Sequence, residues 1–129
     1  MNRYTSGITF LYYKNFEKAR LFFEEVLQLD LVMDQGFATV YKVSGSSFIG
    51  CVKKKEGSIK SKNKGGTLVS LTSRDVDGEY ERIKKYRLPF ISEIEIIERI
   101  PLKSFFLKDF EGHDFEIQEF LKKEDREIF

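Results

Sequence analysis

A faint internal repeat, offset by 60 residues, constrains this chain more than any other feature. Ile8-Thr9-Phe10-Leu11-Tyr12-Tyr13-Lys14-Asn15 is a β-type run ending in a helix-capping residue, and Leu68-Val69-Ser70-Leu71-Thr72-Ser73-Arg74-Asp75 is a run of the same kind. A helical apolar pattern follows each at once: Phe16, Phe23 and Val26 in the first copy, Val76, Ile83 and Tyr86 in the second. Two copies of so long a unit cannot make a solenoid, so the chain reads as a duplicated half-domain. The halves present equivalent strand faces, and a pocket between such faces is where function is expected.

At 129 residues the chain suits one compact domain built from two half-domains. Thirteen Phe and six Tyr make it rich in aromatic surface, enough both to fill a core and to line a cavity. The formal net charge of +1 argues against a dedicated nucleic-acid partner, because steering needs a sizeable field. Cys51 is the sole cysteine, which excludes an intramolecular disulfide and a thiolate metal cluster. No apolar run approaches the roughly 20 residues of a membrane span. The opening Met1-Asn2-Arg3-Tyr4-Thr5-Ser6 lacks the apolar core of a secretion signal, so a cytoplasmic location is expected.

Periodicity divides the chain further. Residues 7–14 read as a strand, Asn15 as an N-cap, and Phe16 to Leu29 as an amphipathic helix. Leu31–Met33, Phe37–Val43 and Ser47–Val52 read as strands separated by the turns Asp34-Gln35-Gly36 and Ser44-Gly45-Ser46. Half-module one is thus about 7–52. Residues 53–66 carry six lysines and three glycines around one large apolar residue, a composition that reads as an exposed linker. Half-module two, about 67–119, repeats the order: a strand, a helix capped by Asp75 and running to about Tyr86, then strands at Ile91–Ile100, Lys103–Lys108 and His113–Glu119. Residues 120–129 read as a surface tail. Both halves are β-α-β-β-β.

Taken in order, these pieces resemble the vicinal oxygen chelate superfamily, which holds glyoxalase, bleomycin resistance protein and extradiol dioxygenase. The resemblance rests on Leu11-Tyr12-Tyr13-Lys14-Asn15-Phe16-Glu17-Lys18-Ala19, on Phe22-Phe23-Glu24-Glu25-Val26-Leu27, on Val69 to Ile83, and on Asp109-Phe110-Glu111-Gly112-His113-Asp114-Phe115-Glu116-Ile117. It implies an α+β fold of two paired βαβββ half-modules forming a curved mixed sheet with a concave pocket, helices outside, and a homodimer. Metalloenzymes of that superfamily hold a divalent ion with side chains on the concave face. The matching positions here are Ile8, Leu68, a residue near Gly50, and Glu116. Hydrocarbon and glycine offer no lone pair, and one carboxylate cannot hold a catalytic cation against water. No metal cofactor is therefore expected. His113 stands where the superfamily's turn has Asn, and its separation from Glu116 places the two on opposite strand faces, so it reads as a solvent-facing turn histidine.

Strand parity, anchored on those matches, turns the resemblance into a candidate ligand-binding set: Ile8, Phe10, Tyr12, Phe48, Gly50, Leu68, Ser70, Phe106 and Glu116. Aromatic walls with one carboxylate suit a small organic ligand. Gly50 and Ser70 are expected to leave room at the centre. Glu116 is the candidate polar contact and candidate catalytic group, or else a structural partner of Lys108. Cys51, of opposite parity to Gly50, reads as a buried, inert thiol. The leading expectation is a metal-independent small-molecule-binding protein. The alternative is a lyase, isomerase or dioxygenase of the same superfamily with an atypical metal site.

Overall fold

The computed structural model describes residues 3–62 and 65–129. The chain forms two compact units, Met1–Asn63 and Lys64–Phe129. In the first, β1 (Gly7–Tyr13) leads into α1 (Phe16–Leu21), and β2 (Asp30–Asp34), β3 (Ala38–Ser44) and β4 (Ser47–Lys53) complete a sheet of order β1-β4-β3-β2. In the second, β5 (Leu68–Thr72) leads into α2 (Val76–Ile83). The strands β6 (Phe90–Ile91), β7 (Glu95–Ile97), β8 (Leu102–Lys108) and β9 (Asp114–Phe120) follow, with α3 (Lys123–Ile128) last. The sheet order is β5-β9-β8-β6, with β7 also on β8. Each module therefore pairs its first strand in parallel with its last, β1 with β4 and β5 with β9. The expected βαβββ repeat is present.

Capping fixes where the helices begin. The Asn15 side chain accepts from the Lys18 amide at 3.1 Å, and Asp75 accepts from the Gly78 amide at 3.0 Å. Helix-facing residues alternate with outward-facing ones along each strand. Leu11, Tyr13, Thr39, Tyr41, Ile49 and Cys51 are buried with Phe16, Ala19, Phe22, Phe23 and Val26. The Phe23 ring stacks on Tyr41 at 5.2 Å and meets Tyr13 edge-on at 6.1 Å. In the second module Phe105, Leu107, Phe115 and Ile117 are buried with Val76 and Ile83, and Tyr80 meets Phe105 edge-on at 5.1 Å.

Four expectations need correction. The first helix is not α-helical to Leu29. From Phe22 to Val26 it widens to π geometry, with the Leu27 amide bonded to the Phe22 carbonyl at 2.9 Å, and Gln28 at φ 56° ends it. Phe22 and Phe23 are both fully buried, as their i+3 and i+4 spacing from Ala19 predicts. Ile91–Ile100 is two short strands, because Ser92 interrupts the ladder. Its amide donates to the Phe106 carbonyl, but its side-chain Oγ accepts from the Phe106 amide at 2.8 Å in place of a backbone carbonyl.

The expected linker starts late and is not free of the first module. Lys53 closes β4, the Lys54 amide bonds the Tyr13 carbonyl, and the Ile59 amide donates to the Tyr12 hydroxyl. Asn63 and Lys64 of that segment lie outside the described residues. The tail is also shorter than expected: Phe120 ends β9, and its ring stacks on that of Phe129, beyond α3, at 4.7 Å. Among the described residues no helix is long and apolar enough to cross a membrane.

Candidate functional site

On the first module, parallel pairing sets Ile8 beside Phe48, Phe10 beside Gly50 and Tyr12 beside Val52. All six share the sheet face opposite α1, as parity requires. Ile8 and Phe10 are 46% and 41% exposed, an apolar surface that the strand itself does not cover. Gly50 does not open space at its centre. A Cβ built there would stand 2.6 Å from Phe10 Cδ1 and Cε1 and 3.0 Å from the Thr39 carbonyl oxygen, so the Phe10 ring already fills the gap. Tyr12 is likewise engaged. Its ring lies against Gly57, where any Cβ would collide with it, and its hydroxyl is the acceptor for Ile59.

The second module's corresponding face is polar. Ser70, Glu116 and Phe106 form one row across β5, β9 and β8, flanked by Leu68-Asp114-Lys108 and Thr72-Gln118-Ser104. Glu116 is 8% exposed, and its Oε1 accepts from Ser70 Oγ at 2.9 Å. Ser70 therefore spends its hydroxyl on the carboxylate instead of leaving a void. Lys108 pairs with Asp114, which removes it as the structural partner of Glu116. Beside the carboxylate, Leu68 and Phe106 are 50% and 38% exposed. Ser104 belongs to the same face and was not among the sequence candidates. It is 1% exposed, and among the described residues its Oγ finds no hydrogen-bond partner. Its two-residue spacing from Phe106 was the available signal.

His113 is not the solvent-facing residue expected. It is buried in the β8–β9 turn, where Nδ1 lies 3.0 Å from Asp109 Oδ2 and the backbone amide donates to Asp109 Oδ1 at 2.9 Å. A carboxylate only accepts, so Nδ1 is the donor. Cys51 is fully buried with its Sγ 2.8 Å from Thr39 Oγ1, and burial pushes the thiol above its ordinary range. Burial likewise raises the phenol of Tyr41, whose hydroxyl donates to Glu24.

The residues at the metal positions do not fit a divalent ion. Ile8 and Leu68 are hydrocarbon, the Phe10 ring lies over Gly50, and Ser70 holds one oxygen of Glu116. Among the described residues no three His, Cys, Asp or Glu side chains gather into a metal-holding group.

No protein-family model matches the chain, and no curated protein matches it. Solved structures do. A lactoylglutathione lyase from Agrobacterium tumefaciens is 19% identical with a TM-score of 0.70, covering 87% of this chain and 90% of its own. A glyoxalase-related enzyme from Fulvimarina pelagi is 14% identical with a TM-score of 0.74, covering 92% and 88%. A glyoxalase/bleomycin resistance protein/dioxygenase from Nocardioides is 16% identical with a TM-score of 0.70, covering 95% and 87%. At these identities the likeness carries architecture alone: the chain has the α+β fold of these glyoxalase-related and glyoxalase/bleomycin resistance/dioxygenase structures.

Proposed function

We propose that this chain is a metal-independent small-molecule-binding protein of the glyoxalase/bleomycin-resistance type, working as a homodimer. The observation that carries the reading is Glu116. Its carboxylate is buried on a sheet face, oriented by one hydrogen bond from Ser70, and flanked by the exposed apolar side chains of Leu68 and Phe106. A carboxylate so placed fixes the orientation of a ligand that bears a cation or hydrogen-bond donor, while the flanking side chains supply contact area. Ile8, Phe10 and Phe48 supply an apolar face on the first module. On that module the Phe10 ring lies over Gly50, and the Tyr12 hydroxyl already accepts from the Ile59 amide.

The test is a thermal-shift screen of aromatic amines and neutral aromatics on wild type and Glu116→Gln, followed by calorimetry. A cationic ligand should lose about 1.5–3 kcal/mol of affinity in the variant, the range for hydrogen bonds to charged groups. Neutral aromatics should bind both proteins alike. Equal binding of every ligand to both proteins would make Glu116 structural. Elemental analysis showing about one Zn, Ni, Mn or Fe per chain would overturn metal independence. Light scattering reads the dimer directly.

A further inference from the structure

A cavity of the first module lies at the carboxyl ends of β1 and β4. Parallel pairing brings Tyr13 beside Lys53 there, and the crevice between the β1–α1 connection and the chain leaving β4 has a volume of about 1030 Å³. Five lysines line it, Lys14, Lys53, Lys54, Lys55 and Lys60, against two carboxylates, Glu17 and Glu56. Lys53 is partly engaged, 3.9 Å from Glu56 and over the Phe16 ring at 5.4 Å. Among the described residues Lys54, Lys55 and Lys60 hold no ion pair. Three unpaired ammonium groups around one concavity repel one another, and an anion there relieves the repulsion. The floor is partly aromatic, because Tyr13 and Phe16 line the same space.

The repeat supplies an independent observation. Arg74 sits 60 positions after Lys14, and it lines a smaller cavity of about 190 Å³ at the carboxyl ends of β5 and β9, with Arg126 as a second cation. Each module thus carries a cationic crevice at the same point of its fold.

We propose that the first of these cavities binds a small organic phosphate, with the phosphate among Lys54, Lys55 and Lys60 and the carbon portion against Phe16. Lysine suits this role as a point charge on a mobile stem, able to converge on phosphate oxygens. The volume lies near the upper end of the roughly 300–1,000 Å³ common for small-ligand pockets. A nucleic-acid surface is the less favoured occupant, because the whole chain carries a net charge of only +1. Glu116 is not among the residues that line the cavity, so the cavity's test stands or falls independently.

The probe is phenyl phosphate, titrated into the full ¹⁵N-labelled chain at constant ionic strength, with phenol, inorganic phosphate and a short oligothymidylate in parallel. Saturable shifts are expected at Lys14, Phe16 and Lys53–Lys55, tighter for phenyl phosphate than for inorganic phosphate, and absent with phenol. Lys54→Gln/Lys60→Gln should weaken phenyl phosphate about tenfold. Lys84→Gln/Lys85→Gln, on the far end of α2, should leave it unchanged. Non-saturating shifts, shifts centred elsewhere, or equal weakening by both double variants would overturn the proposal. So would oligothymidylate binding more tightly than phenyl phosphate through the same lysines, which would mark a nucleic-acid surface.

Discussion

Asp109 binds His113 twice, through the backbone amide at 2.9 Å and through imidazole Nδ1 at 3.0 Å. The same carboxylate accepts from the Glu111 amide at 3.0 Å, and Asp109 itself is 1% exposed. It holds the β8–β9 turn closed and so supports the register that sets Glu116 opposite Phe106. Asp109→Ala leaves buried donors without an acceptor and should cost about 1–3 kcal/mol for each donor that water cannot reach. Asp109→Asn, which keeps one oxygen for the two amides, should cost less. Urea denaturation of the two variants checks the order.

Gly50 should not tolerate a methyl group. The Phe10 ring can swing aside, being 41% exposed, but the Thr39 carbonyl belongs to the paired strand and cannot. Gly50→Ala is expected to destabilise by about 1–3 kcal/mol, the usual cost of overpacking. In a Phe10→Ala background the penalty should shrink without vanishing. A double-mutant cycle by chemical denaturation reads that coupling.

The segment after β4 should respond to its glycine, not to its lysines. Gly57→Ala sets a Cβ against the Tyr12 ring, so it should lower the melting temperature and raise amide exchange at Ile59. Lys54→Gln, Lys55→Gln and Lys60→Gln should leave the melting temperature nearly unchanged, as exposed or half-exposed substitutions do. Equal losses from both kinds of change would mean the lysines pack.

Alkaline pH should unfold the first module through Cys51 and Tyr41. Burial is the main cause of both upward shifts, from ordinary values of 9.0 and 10.0. The folded state therefore keeps protons that the unfolded chain releases, and stability falls as pH rises above about 9. Below that pH both states are protonated and the effect is absent. Cys51→Ala and Tyr41→Phe should each flatten the decline measured by denaturation between about pH 8 and 11. Native Cys51 should resist thiol reagents until denaturant is added.

Much of the architecture was legible because capping and alternation are local. Asn15, Asp75 and the period of two along each strand mark the elements directly, and the 60-residue repeat gives their order. What stayed hidden depends on neighbours that no spacing records. Gly50 looks like an opening until the Phe10 ring is seen over it, and His113 looks exposed until Asp109 is seen beneath it. The π turn at Phe22–Val26 and the Ser92 break are departures of one residue from a period, too small for a pattern to register. The composition of residues 53–62 forecasts exposure, but a single amide on a tyrosine hydroxyl and a glycine against its ring are enough to seat it.

Strand β2 gives the first module a boundary with a consequence for handling the protein. It lies at the edge of its sheet, all five of its residues are exposed, and its centre is Leu31-Val32-Met33. An unpaired apolar edge is a template on which a second chain can add a strand and start a deposit. Two features oppose this: a register shift between Leu31 and Met33, and an aspartate at each end of the strand. One of these, Asp34, is held by Arg20 and the Gly36 amide. The aspartates act as gatekeepers against self-association, so replacing both with neutral side chains would strip the edge of its charge and leave the apolar centre without electrostatic guard.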